Sequence, residues 1–396
     1  MSRTLRSEKI HQWAVTTLFG LCLFLSGISF AAVAPYRGIV AIEHLGLTNA
    51  TFALIITVGA TVGAVLAMLL GYISDHAKDR RMLVLVTAVV GAIAYGSLYA
   101  YPSQLLFIAM TIVLLPFAGA LFSQLMAYTR TYYNTRQPDR AEFMMSMQRT
   151  LFSAAWVIIP PVAGWMASQW SVYVVFLAAM IAHIGIAAVF LWLLWLPDAR
   201  IVEPAALPTN ETPRRIRIPA ASFGAIVGIT AIRAALMVHL AGLPLSIVND
   251  FGGDLGAVGF NASLAALLEV PLMIAWAYAL RRVQKVHIIV FNALLYGVYL
   301  ILLSRAENML TVYWLQGLNA IATAALLSIT ISYMQDIIKG YVGLSTALID
   351  VTTVIASLVS SVIFGWYAVE TVYRGTFLAG GVVAFVGAVI LWGAEW

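Results

Sequence analysis

Residues 71–81 read GYISDHAKDRR, a charged turn between two long apolar runs in a chain that carries few charges elsewhere. On either side of it lie about 20 predominantly apolar residues, the length a helix needs to cross the hydrocarbon core of a bilayer. Hydrophobic residues make up 62% of the 396 and charged residues 10%, against about 25% charged in an average soluble domain. No polar stretch is large enough to fold as a separate domain, so nearly all of the chain belongs in lipid.

The same run length recurs along the chain. A short basic start, MSRTLRSEK, leads into a first run at about 12–35 that reads as a signal anchor, since a removable signal has a shorter apolar core and a small-residue cleavage site. Further runs follow at about 49–72, 82–101, 104–128, 145–167 and 172–196. Residues 196–220, LPDARIVEPAALPTNETPRRIRIPA, contain five prolines and both signs of charge and cannot span. Six more runs lie at about 221–247, 256–280, 286–304, 309–333, 342–366 and 371–393. Lipid offers no hydrogen-bond partners, so each run must satisfy its own backbone as a helix, and the strand alternation of a membrane barrel is not seen. The expected fold is an all-α membrane protein of 12 transmembrane helices in two six-helix bundles. Residues 1–196 and 221–396 form the bundles, and 197–220 form a cytoplasmic linker.

Charge placement sets the expected orientation. With the amino terminus inside, 18 of the 22 Lys and Arg fall in the tail or the inner loops, only Arg37, Arg305 and Arg374 fall outside, and Arg233 is left within a helix. Both termini are then cytoplasmic. The net charge of +5 is scattered over loops and does not point to nucleic acid. The single cysteine, Cys22, excludes disulfides, Cys-based zinc sites and iron–sulfur clusters. No metal or cofactor is expected, and ATP drive would need another subunit because no GxxxxGK[ST] loop is present. The loop AYALRRVQK (277–285) echoes the turn at 71–81. Either an internal repeat, which places a substrate site near the midplane, or two unrelated basic inner loops accounts for it.

Ionisable residues at membrane depth are costly and mark function by default. Three stand out: Arg233 in the seventh run, Glu269 in the eighth and Asp350 in the eleventh. One cation and two carboxylates allow a proton to be taken up and released as burial and attraction change; Glu269 or Asp350 is then the proton-coupling group. A static buried ion pair with a second, water-exposed carboxylate fits the same residues. Pro271, two residues after Glu269, kinks its helix, either as part of a moving gate or as a fixed bend.

Hydrogen-bonding side chains recur at helical spacing around these charges. Thr346, Asp350, Thr353 and Ser357 share one face, as do Gln316, Asn319 and Thr323, and Arg149, Ser153 and Trp156. Such stripes suit a polyhydroxylated solute, whose hydroxyls meet amides and carboxylates while its C–H faces pack on Trp rings. They also suit close helix packing. The candidate substrate contacts are Gln124, Arg149, Trp156, Arg233, Gln316, Asn319 and Asp350. His183 reads as packed, and His239 follows Arg233 by six residues, about 240° around the helix, so the two do not point straight into one cavity.

The turn at 71–81 resembles the signature loop between helices 2 and 3 of the major facilitator superfamily. That resemblance implies a gating loop of Gly71, Asp75, Arg80 and Arg81, in which the Asp caps a neighbouring helix and the basic residues pin the two halves together. Several further stretches are similar to the bacterial sugar efflux transporter branch. They are Ser74, Asp75, Asp79, Arg80 and Arg81; Arg130; Arg149 through Trp156 to Pro160-Pro161; Leu268-Glu269-Val270-Pro271; Leu315-Gln316 with Asn319-Ala320; and Gln335-Asp336. The exporter-associated glycine motif of helix 5 is represented by Gly164. The resemblance implies a proton-driven exporter of sugars or glycosides in the bacterial inner membrane, working as a monomer by alternating access. An exporter of amphipathic drugs, relying on the 11 Trp and 18 Phe, is the alternative. A membrane enzyme would need a His, Asp and Glu cluster that six scattered histidines do not supply.

Overall fold

The computed structural model describes residues 2–76, 79–196, 199–201, 220–337, 342–369 and 372–395. Among them are 12 helices long and apolar enough to cross a membrane. The first six are α1 (Ser2–Val33), α2 (Asn49–His76), α3 (Arg81–Ala100), α4 (Gln104–Arg136), α5 (Ala141–Gln169) and α6 (Val174–Leu194). The second six are α7 (Ala220–Asn249), α8 (Leu255–Ala279), α9 (Lys285–Ser304), α10 (Met309–Ile337), α11 (Val342–Tyr367) and α12 (Arg374–Glu395). The chain is an all-α, multi-pass membrane protein, as the run lengths predict.

The helices outlast the apolar runs at their polar ends. α2 continues to His76, α4 to Arg136 and α10 to Ile337, because a polar side chain ends the hydropathy signal without interrupting the backbone hydrogen bonds. Pro160, Pro161, Pro244 and Pro271 all lie inside helices. In α4 the ladder widens to a π-type turn over Met110–Leu114 just before Pro116, where the proline withdraws an N–H.

Contacts divide the chain into two compact units. The first comprises Met1–Ala34, Val65–Ile159 and Tyr173–Glu211; the second comprises Pro35–Ala64, Pro160–Val172 and Thr212–Trp396. The bodies of α2 and α5 thus each contribute to both. Most of the stretch read as a linker, residues 202–219, lies outside the described residues.

In the first unit α6 packs on α1 and α3, and α4 on α3. The core is aromatic: the Phe19 ring meets those of Tyr128, Tyr132 and Tyr133 edge-on at 5.4, 5.0 and 6.1 Å. Tyr128 keeps its hydroxyl satisfied by donating to the carbonyl of Ala199 at 2.7 Å, as a buried phenol must.

In the second unit α12 packs on α7 and α9, α7 on α11, and α10 on α8 and α9. Small residues bring backbones together, as in many membrane bundles: a Cβ on Gly387 would stand 2.7 Å from the carbonyl oxygen of Gly228. α11 also holds the first part of α2, where the Thr57 hydroxyl donates to the Ser357 carbonyl at 3.2 Å and pairs with the Ser361 hydroxyl.

Candidate functional site

The charges at membrane depth lie in the second unit and form two separate groups. Arg233 on α7 donates from Nη2 to the Thr353 hydroxyl on α11 at 2.6 Å. Thr353 in turn donates to the Ile349 carbonyl at 2.7 Å. Asp350, one helical turn before Thr353, is the charge that acts on Arg233. Among the described residues the guanidinium and the carboxylate do not close to an ion pair, and Arg233 Nε is buried without a hydrogen-bond partner.

Glu269 forms the other group. Its Oε1 accepts a hydrogen bond from the Thr323 hydroxyl on α10 at 2.6 Å. Thr323 sits on the face that the spacing of Gln316 and Asn319 defines, and all three are buried. Asn319 Nδ2 donates to Gln316 Oε1 at 2.7 Å, so the two amides spend their first bond on each other. Gln316 is fully buried and Asn319 3% exposed, which places both inside the helix packing in this structure.

His239 turns away from Arg233, as the angular argument requires. Its Nε2 pairs with the Tyr299 hydroxyl at 2.9 Å, and its ring packs edge-on against Tyr296, Tyr299 and Phe377. His183 is packed in the first unit, bonded through Nδ1 to the Ala179 carbonyl at 2.9 Å. No group of three or more His, Cys, Asp or Glu among the described residues is arranged to hold a metal ion.

In the first unit, Arg149 and Ser153 are exposed, Trp156 is half-buried and Gln124 is buried. Gln148, next to Arg149 in sequence, is buried and donates to the Tyr133 hydroxyl at 3.1 Å. Arg130 is exposed.

The basic pair that ends the 71–81 stretch is held within the first unit. Arg81 is buried, bonds both oxygens of Asp79 at 2.8 and 2.6 Å, and donates to the carbonyls of Leu193 and Leu196 at 2.7 and 3.1 Å. Leu193 lies in the last turn of α6 and Leu196 just beyond its end, where the helix dipole favours a cation. Burial works against the ionised Asp79, but the hydrogen bonds and charge of Arg81 outweigh it and hold the carboxyl below its ordinary range. Arg80 reaches the Thr131 hydroxyl at 3.2 Å. Gly71 lies within α2, and a Cβ there would meet nothing within 4 Å. The side chains of Asp75 and Thr346 lie outside the described part of the structure.

One cluster escaped the sequence reading. Tyr36 is fully buried in the second unit, and its hydroxyl reaches the carbonyls of Pro160 at 3.0 Å and Leu255 at 3.2 Å. Burial, with the charge of Asp254 adding, pushes its phenol above the ordinary range. The residues around it are glycines. A Cβ on Gly164 would stand 2.6 Å from both the Leu255 carbonyl and the Tyr36 hydroxyl, and one on Gly259 would stand 2.1 Å from the Pro160 carbonyl. The pair Gly256 and Gly259 in α8 was the available signal. Elsewhere in the second unit a hollow of about 370 Å³ is lined by Ile42, Leu47, Thr48, Asn49, Ala50, Gly365 and Ala368.

Comparison with known proteins follows the same lines. The family model described as Major Facilitator Superfamily matches residues 19–238 and again 223–395. Sugar efflux transporter A of Dickeya chrysanthemi is 28% identical over 385 residues, 95% of this chain and 95% of its own. Sugar efflux transporter B of Salmonella typhimurium is 29% identical over 363 residues, 91% of each. Among solved structures, a peptide transporter bound to sulfate superposes with a TM-score of 0.79 at 12% identity, covering 96% of this chain and 94% of that one. A nucleoside transporter superposes with a TM-score of 0.75 at 11% identity, covering 96% of this chain and 98% of that one. At such identities the likeness concerns the fold alone.

Proposed function

We propose that this chain, which belongs to the Major Facilitator Superfamily and is a transporter rather than an enzyme, exports sugars or glycosides in exchange for protons by alternating access. The observation that carries the substrate class is the likeness, over 91% and 95% of the chain, to proteins named as sugar efflux transporters. The geometry supports Glu269 as the coupling group in this reading. Glu269 lies within a span, is bonded by a neutral hydroxyl, and has no ion-pair partner among the described residues, the setting in which a carboxylate serves as a proton site.

The substrate contacts in this reading are Gln124, Arg149 and Trp156 in the first unit and Arg233 and Asp350 in the second. Arg233 carries donors in a fixed fork and Asp350 accepts, a combination that matches vicinal hydroxyls. Gln316 and Asn319, bonded to each other on α10, complete the proposed contacts. The turn at 71–81 is a hinge fastened to α6 by Arg81. The family model's two matches, 19–238 and 223–395, favour the six-linker-six division, with 197–220 joining the halves. The bias of Lys and Arg toward one set of loops favours both termini cytoplasmic, and the family reading carries with it a monomer in the bacterial inner membrane.

The test is counterflow of labelled sugars in proteoliposomes, with and without an imposed pH gradient, comparing the parent with Glu269→Gln and Asp350→Asn. Flux that follows the gradient, with Glu269→Gln retaining exchange but losing accumulation, is the expected result. Transport of a lipophilic cation with no sugar exchange would replace sugar export by drug export.

A further inference from the structure

Thr323 presents one hydroxyl hydrogen to two acceptors. Glu269 Oε1 lies at 2.6 Å and the carbonyl of Asn319, four residues back on its own helix, at 2.8 Å. The two acceptors differ in kind. A hydrogen bond to an ionised carboxylate is charge-assisted and outcompetes the neutral back-bond within the helix. When the carboxyl carries its own proton the preference inverts: Glu269 needs an acceptor, and the Thr323 oxygen can accept while its hydrogen returns to the Asn319 carbonyl.

Oε1 of Glu269 therefore keeps a hydrogen-bond partner in either protonation state, and neither state requires a heavy atom to move. Val or Ala at 323 could do neither, and a guanidinium, which only donates, would favour the ionised form. α10 also offers the amides of Gln316 and Asn319, bonded to each other at 2.7 Å, each keeping one buried atom, Gln316 Nε2 and Asn319 Oδ1, without a hydrogen-bond partner. From α9 the phenol of Tyr296 senses the charge on Glu269, and Tyr299 beside it pairs with His239 of α7 at 2.9 Å. Arg233 of α7 is turned to Thr353 and Asp350 of α11.

We propose that Thr323 is a positioning residue for proton coupling, a two-way hydrogen-bond partner that lets Glu269 gain and lose a proton without leaving its seat against α10. This rests on the reading of Glu269 as the coupling carboxylate, and the test separates the two. Sugar counterflow without a gradient and the pH profile of gradient-driven efflux are measured for the parent, Glu269→Gln, Thr323→Val and Thr323→Ser.

The expected result is that Thr323→Val keeps counterflow but moves the midpoint of the pH profile upward by about one unit, because the ionised form loses a donor, while Thr323→Ser overlays the parent. A residue that merely packs would not move the midpoint. A Thr323→Val profile that coincides with the parent's, or a Thr323→Ser profile displaced as far as that of Val, overturns the proposal for Thr323 even where Glu269→Gln abolishes coupling. Driven efflux that stays pH-dependent in Glu269→Gln overturns the reading of Glu269 itself. If Thr323→Val does not reach the membrane, Thr323→Ala is read by the same two criteria.

Discussion

Replacing Gly259 with Ala tests what holds residues 160–172 against α8. The added Cβ would lie 2.1 Å from the Pro160 carbonyl oxygen and 2.5 Å from the Tyr36 hydroxyl. Real Cβ atoms keep at least 3.0 Å, so α5 must retreat by about 1 Å, and the obstacle is backbone rather than the tip of a flexible side chain. Overpacking of this kind costs about 1–3 kcal/mol, which multiplies the population of the separated state about 5- to 150-fold. The reporter is a cysteine at Ala163, 3% exposed and next to Gly164 of this contact, in a background where Cys22, the chain's one cysteine, is Ala. The rate of maleimide labelling in detergent or native vesicles should rise by that factor in Gly259→Ala. Gly71→Ala is the control: nothing lies within 4 Å of its Cβ, Ala is favoured over Gly inside a helix by about 0.5–1 kcal/mol, and labelling at 163 should not change. Equal labelling of the parent and Gly259→Ala would refute the claim that this backbone contact closes the segment onto α8.

Three further outcomes follow from the same geometry. Tyr36→Phe removes the hydroxyl shared by Pro160 and Leu255, a loss of about 1 kcal/mol, and should speed labelling at 163 by about fivefold, at the low end of the Gly259→Ala range. Arg81→Gln takes the guanidinium from the Leu193 and Leu196 carbonyls and leaves the Asp79 carboxylate the backbone N–H of residue 81; thermal unfolding in detergent should register a loss of about 2–3 kcal/mol, with Arg81→Lys between it and the parent because it keeps the charge and loses the fork. The Asp79 carboxyl titrates below its unfolded value, so its contribution is fully present above about pH 4 and is lost as pH falls through the folded value. Acid unfolding of the parent should therefore steepen below that pH by more than that of Asp79→Asn.

The fold was legible because lipid leaves the backbone one solution. A run of about 20 apolar residues must be a helix, and charged turns such as 71–81 mark where one helix stops crossing. What hydropathy misplaced was the ends: the helical backbone of α4 runs to Arg136 through Tyr, Thr, Asn and Arg, residues that lower hydropathy while keeping every i→i−4 bond. The site was half legible. Spacing placed Gln316, Asn319 and Thr323 on one face, but a period says only that residues share a face and not what that face meets. Burial decided it: the amides pair with each other, and the smallest member, Thr323, takes the carboxylate.

The contacts that sequence missed share one chemical feature, an acceptor that is a backbone carbonyl. Tyr36 meets Pro160 and Leu255, and Arg81 meets Leu193 and Leu196; a carbonyl belongs to every residue, so no residue type announces it. Glycine is the partial exception, because it records where a second backbone comes close. Gly164, noted as the remnant of a motif, turns out to face the Leu255 carbonyl, and Gly259 the Pro160 carbonyl. Pro160 and Pro161 have no N–H, so the carbonyls of Trp156 and Val157, one turn earlier in α5, lose their helical donors, and the Pro160 carbonyl that Tyr36 meets follows directly on this loosened turn. The prolines, the glycines and Tyr36 then act on the same few ångströms of backbone. The order Gly259→Ala above Tyr36→Phe follows, since steric exclusion forbids the contact whereas loss of the hydroxyl only weakens it.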